Sequence, residues 1–164
     1  MTDMALPNIA TCLLATGLCG VMLVAMQEKL VPIVPSVGLY LFFGLTAGSD
    51  LSAVVPLVVI SAMGSLAGSL FWYYLACLSG THPGLRPLST WLRRLPAAQK
   101  TSSWYAASMT RMALVQLVPA ARVYSGLASA VVSIGAVRFA VATFIGCLIW
   151  NGVLISAGWM VRHF

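Results

Sequence analysis

Charge is what this sequence has least of. Only 7% of its 164 residues are charged, against roughly a quarter in soluble domains. Acids are scarcest, with Asp3, Glu28 and Asp50 set against nine lysines and arginines, a formal net charge of +6. Hydrophobic residues make up 60% of the chain, and the mean hydropathy is +0.97. This balance excludes a disordered chain, a coiled coil and an ordinary soluble domain. The pI near 9.6 does not point to nucleic acid, because no basic stripe with exposed aromatics accompanies it. Histidine is limited to His82 and His163, both outside the apolar runs. With neither metal-ligand spacing nor a nucleophile–base–acid set, no enzyme activity, metal or cofactor is expected. Cys12, Cys19, Cys77 and Cys147 lie in apolar runs without a C-x-x-C pair and read as small packing residues. The N-terminus lacks the positive n-region and A-x-A site of a cleaved signal, so its apolar run is expected to stay.

What the chain has in abundance is apolar runs long enough for a bilayer, where a helix needs about 20 residues to cross. Uninterrupted runs at 9–26, 51–79 and 139–161 read as spans. Two other runs contain prolines: Pro32 and Pro35 in 28–49, and Pro119 in 104–137. Proline removes a backbone donor and clashes with the preceding turn. Broken backbone at membrane depth survives only where protein or a wet cavity satisfies it. These two runs are therefore expected to be re-entrant helical hairpins. Leu30-Val31-Pro32 recurs as Leu117-Val118-Pro119, 87 positions on, with both copies at the breaks. Paired breaks in corresponding positions suggest an inverted repeat with a site at its interface. The expected fold is thus an all-α integral membrane protein: three transmembrane helices plus two opposed re-entrant hairpins, in a single domain over 1–164. The loop 80–103 holds Arg86, Arg93, Arg94 and Lys100. The positive-inside rule makes it cytoplasmic together with the N-terminus, and puts Lys29 and Arg162 on the other face. That orientation reverses some assignments if the proline-containing runs cross fully.

Ser61, Gly64, Ser65, Gly68 and Ser69 fall on one helical face, which allows close helix approach in lipid. Packing within the chain is the preferred reading, and a homo-oligomer interface is the alternative. Trp72, Tyr73 and Tyr74 read as an interfacial belt.

A charge at the bilayer centre costs about 2.5–3.5 kcal/mol on insertion scales. Arg111 and Arg122 nevertheless lie deep within uncharged sequence. Arg111 can snorkel to an interface or act in a site. Arg122, three residues after Pro119, belongs near a hairpin tip, where its planar fork can pair with Glu28 or take a phosphate. Glu28 is the one acid adjoining a broken helix, whereas Asp50 reads as a solvated or capping residue.

Three stretches together resemble the DedA family, also called the VTT or SNARE-associated Golgi family. They are Glu28-Lys-Leu-Val-Pro-Ile-Val-Pro35; Gly64-x-x-x-Gly68 with Tyr73 and Gly80; and Gln116-Leu-Val-Pro119-Ala-Ala-Arg122 followed by Gly126, Phe139, Gly146 and Trp150. The resemblance implies a lipid transporter or scramblase with two opposed re-entrant hairpins. Bacterial members are implicated in returning undecaprenyl phosphate across the cytoplasmic membrane, and others move phospholipids. It also implies that Glu28 matches the family's first essential acid and Arg122 its second essential arginine. Val37 stands where an acid is usual and Gln116 where the first arginine is usual, so an acid and a base are missing together. If those positions pair in the family, their joint loss strands no buried charge.

These readings converge on a multi-pass protein of the cell membrane, bacterial cytoplasmic by the resemblance. It is expected to translocate a lipid phosphate, undecaprenyl phosphate or a phospholipid, using Glu28, Arg122, Arg111 and Gln116. The alternative is a proton-coupled small-solute or cation transporter with Glu28 as proton carrier.

Overall fold

In the computed structural model, residues 5–31, 35–48, 51–81, 108–131 and 133–163 are described. Pro32, Asp50, His82 and the basic residues of the 80–103 loop lie outside them. Among the described residues there are helices and no strands: α1 (Ala5–Leu30), α2 (Ser36–Thr46), a 3-10 turn (Leu51–Ala53), α3 (Val54–Thr81), α4 (Met109–Val115), α5 (Pro119–Val131) and α6 (Ala136–His163).

The helix ends follow from local chemistry. Ser108 caps α4, its side chain accepting from the Thr110 amide at 3.2 Å. Three successive tight backbone bonds, Gln116 N to Ala113 O, Leu117 N to Leu114 O and Val118 N to Val115 O, then wind α4 down. Pro119 opens α5 as its first residue, where its missing N–H is no loss and its fixed φ suits a helix. Pro35 stands just before α2, and its carbonyl accepts the Leu39 amide at 3.2 Å. At the far end of α2, Arg162 Nη1 donates to the carbonyls of Leu45 and Ala47, at 3.1 and 2.6 Å, satisfying groups that the helix leaves open.

The first expected span, 9–26, is not one straight helix. At Gly17 the backbone leaves the helical region, with φ 55° and ψ −137°, a conformation only glycine adopts readily. Among the described residues, two helices are long and apolar enough to cross a membrane by length and composition, over Leu51–Ser79 and Ala136–His163. In contrast, α2 has 11 residues, about 16 Å of helix, roughly half of the ~30 Å hydrocarbon layer.

Packing is crossed between the two halves: α1 lies on α3 and α4 on α6, while α2 lies on α6 and α5 on α3. The long helices also touch each other. Glycines permit these approaches. A Cβ at Gly64 would meet the Met22 carbonyl, and one at Gly68 would meet Lys29 Cβ and the Met26 carbonyl, so the last turns of α1 run along the middle of α3. Gly146 meets Ala113 and Gln116 in the same way, which brings the α4–α5 break beside α6. Two apolar clusters result, each drawing on both halves. Val21, Leu39, Tyr40, Phe43 and Ile155 form one, and Tyr73, Met112, Val115, Ile134 and Phe139 the other.

The distribution of polarity is inverted relative to a soluble domain. Leu23, Val55, Phe71, Val137, Val153 and Val161 face outward, while Glu28, Lys29, Ser61, Ser65, Gln116, Arg122, Thr143 and Asn151 are buried. An apolar exterior around a polar interior suits a lipid solvent, in which inward-facing polar groups find partners. The aromatic triplet is not a uniform belt, because two of its members turn inward to partners. Trp72 Nε1 donates to the Lys29 carbonyl at 3.0 Å. Tyr73 donates to the Ile134 carbonyl at 2.6 Å and stacks on Phe139. Tyr74 alone is exposed.

The crossed packing is tested at Gly44, where a Cβ would strike backbone atoms of Ile155, Trp159 and Gly158. Gly44→Ala is expected to destabilise the purified protein by about 1–3 kcal/mol, the usual range for overpacking, read as a lowered unfolding midpoint. Gly152→Ala is the control. Its Cβ meets only Val58 Cγ1 at 3.6 Å, and the midpoint should barely move.

Candidate functional site

The two proline-marked breaks meet. From α1 come Glu28 and Lys29; from the α4–α5 junction come Gln116 and Arg122; α2 adds Tyr40, α3 Ser65, and α6 Thr143 and Trp150. Arg122 and Lys29 are 0% exposed.

The Arg122 Nη2 atom lies 3.8 Å from Glu28 Oε2, an electrostatic pairing too long for a hydrogen bond. Glu28 Oε2 accepts instead from the Tyr40 hydroxyl at 3.2 Å, and Tyr40 also bonds Ser65 Oγ at 2.8 Å. The guanidinium sits 5.5 Å from the Tyr40 ring centroid and 5.6 Å from that of Trp150. Such cation–π contacts are worth about 2 kcal/mol when desolvated, and they offset part of the cost of burial. Among the described residues, none offers a hydrogen-bond acceptor to Arg122 Nε, Nη1 or Nη2, or to the indole nitrogen of Trp150. Buried unsatisfied donors cost about 1–3 kcal/mol each, more when charged. Their chemistry is that of an anion site: several fixed donors, one of them a planar fork, held in low dielectric.

Lys29 is the residue the sequence reading misplaced. It was assigned to the face opposite the basic loop, as an orientation charge, but its ammonium is buried in this cluster. It donates to Gln116 Oε1 at 3.1 Å and to the Arg122 carbonyl at 3.2 Å. Gln116 Nε2 in turn donates to Ser125 Oγ at 2.9 Å and Thr143 Oγ1 at 3.3 Å. The cluster therefore holds two bases and one acid, so its charge is not balanced as the paired loss at Val37 and Gln116 had implied. The signal for Lys29 was present, since it stands 87 positions before Gln116, the period of the Leu-Val-Pro repeat.

Of the other expected residues, Pro35 and Pro119 lie at the breaks, and Gly64 and Gly68 pack against α1. Arg111 is exposed on α4, whose buried residues are Met112 and Val115. Tyr40 and Thr143 are not legible in the sequence, because an isolated hydroxyl in an apolar run carries no pattern of its own, and Ser65 reads there only as a packing residue. One turn along α3, Asn151 Nδ2 donates to Ser61 Oγ at 3.1 Å, leaving its Oδ1 without a partner.

Fold and site together define an all-helical membrane protein whose buried charged residues, among those described, gather where broken helices meet. A family model, the VTT domain, matches residues 34–160. The chain belongs to that family, the VTT-domain or DedA family. It is similar to undecaprenyl phosphate transporter A of Staphylococcus aureus (strain NCTC 8325 / PS 47), at 24% identity over 147 residues, covering 87% of this chain and 72% of the relative. No solved structure matches significantly.

Electrostatic dependence on the single acid is testable by thermal unfolding. Glu28→Gln leaves two buried bases without a carboxylate and should destabilise by about 3–5 kcal/mol, as for a broken buried pair. Adding Arg122→Gln should recover part of that loss. Simple additivity of the two changes would show that the residues are not coupled.

Proposed function

We propose that this chain is a membrane lipid transporter, a flippase or scramblase, that carries the phosphate headgroup of an anionic lipid through the cluster around Arg122. The observation that carries the reading is a fully buried guanidinium with no hydrogen-bond acceptor, at a break where two halves meet. Membership of the VTT-domain family and the name of the staphylococcal relative support undecaprenyl phosphate as cargo, with a phospholipid as the alternative. Arg122 grips the phosphate, Glu28 pairs with Arg122 when the site is empty, and Gln116 organises the hydroxyls behind them. Arg111, exposed on α4, takes the headgroup on its way in or out.

The proposed topology has two opposed re-entrant hairpins, arms α1–α2 and α4–α5, arranged as an inverted repeat between the crossing helices α3 and α6. The swapped packing supports it. A third crossing over 9–26 would have to run through the Gly17 break. With the 80–103 loop cytoplasmic, the first hairpin enters from outside and the second from inside, and their tips meet at Glu28 and Arg122. A headgroup reaching that meeting point is accessible from either leaflet after small hairpin movements, while the lipid tails stay in the bilayer.

In liposomes bearing a polyprenyl phosphate in one leaflet, the reconstituted protein should accelerate its appearance in the other. Arg122→Ala should slow that by at least about tenfold, since a lost charged hydrogen bond is worth about 1.5–3 kcal/mol and 1.4 kcal/mol is a factor of ten. Exchange no faster than in protein-free liposomes, or full activity in Arg122→Ala, contradicts the reading.

A further inference from the structure

We infer that Lys29 is the second cation of this site and sets its preference for a phosphate monoester over a diester. The inference rests on the reading of Arg122 as a lipid-phosphate ligand.

Lys29 is held as a built component. Its stem lies against Gly68, where a Cβ would collide with Lys29 Cβ, and its carbonyl accepts from Trp72 Nε1 at 3.0 Å. Gln116 spends both amide protons on Ser125 and Thr143, which turns its Oε1 toward the ammonium. Because lysine can only donate, this assignment of the amide is the one in which each of these contacts pairs a donor with an acceptor. Lys29 and Gln116 occupy corresponding positions of the two halves, so the bond between them ties the repeat together at its centre.

Neither acceptor of Lys29 carries charge, and among the described residues no carboxylate lies in ion-pair range of it. An ammonium has three protons, and two of them are used, which leaves one. That proton adds to the guanidinium N–H groups of Arg122 and the indole N–H of Trp150, for which the described residues offer no acceptor. Arg122's own carbonyl receives Lys29, which holds the ammonium at the first turn of α5, the turn that carries the guanidinium. The deficit is in acceptor oxygens and negative charge. A monoester supplies three terminal oxygens and a charge of about −1.5 to −2; a diester has two such oxygens and a single negative charge. The site's surplus of donors therefore favours the monoester. Lys29 supplies the charge that makes the difference, in the half of the repeat opposite Gln116.

The test uses purified full-length protein in nanodiscs and two ligands with one tail: farnesyl phosphate and its methyl ester. Wild type should bind the monoester at least about tenfold tighter than the methyl ester. Lys29→Gln should bring the two within about threefold, and Lys29→Arg should keep the preference. The exchange variant, Lys29→Gln with Gln116→Lys, moves the cation across the repeat and should restore most of it. If Lys29→Gln does not fold, the arginine and exchange variants decide the matter. A purely structural lysine would lower the unfolding midpoint without changing the ratio of affinities. The inference is overturned if Lys29→Gln keeps the wild-type ratio, or if a folded exchange variant shows no preference. Arg122→Gln separates the two levels. If it binds both ligands as wild type does, or if wild type binds neither, the lipid-phosphate reading itself fails and this inference with it.

Discussion

A buried guanidinium to which the described residues offer no hydrogen-bond acceptor is the constraint around which this structure is arranged. Arg122 cannot shed its charge, because its proton is held far above any physiological pH. The fold must therefore lower the cost of burying it by other means. A carboxylate 3.8 Å away and two aromatic faces do so partially, without filling its hydrogen bonds. A site satisfied by its own carboxylate would be stable and inert. This one keeps the guanidinium's donors in reserve, the feature on which the proposed reading rests.

The crossed packing is what makes such a site possible. Each half contributes a short helix to the long helix of the other half, so neither half buries its apolar surface alone. The breaks at Pro35 and Pro119 lie where that exchange takes place, and side chains from the same half and from the opposite one bond the carbonyls beside them. The Lys29 carbonyl takes the Trp72 indole, and the Arg122 carbonyl takes both the Lys29 ammonium and the Ser125 hydroxyl. Close approach through Gly68 and Gly146 holds the two break points against the long helices. Stability and the charged cluster thus draw on the same contacts.

Much of this was readable from the residues. The all-helical class follows from hydropathy, and proline marks both breaks. The Leu-Val-Pro recurrence points to the proposed repeat, and Glu28 and Arg122 stand out because charges there have no ordinary explanation. Hydropathy could not see the turn at Gly17, since a glycine in an apolar run looks the same in a straight helix and in a bent one. Charge counting put Lys29 in the wrong place for a similar reason: a lysine beside a proline-containing run suits an interface as well as a buried cluster. Only its partner Gln116, far away in sequence, distinguishes the two. Tyr40 and Thr143 likewise gain meaning from contacts across the fold. Patterns of period reveal elements, whereas the pairing of single polar groups depends on the tertiary arrangement.

The most direct test of the central claim is where a lipid phosphate comes to rest. The structure of the protein saturated with a short-chain polyprenyl phosphate should show the phosphorus in hydrogen-bonding reach of the Arg122 guanidinium, with the tail leaving toward the bilayer. A phosphate held elsewhere, on the basic 80–103 loop for example, with the Arg122 guanidinium still lacking an acceptor, would contradict it.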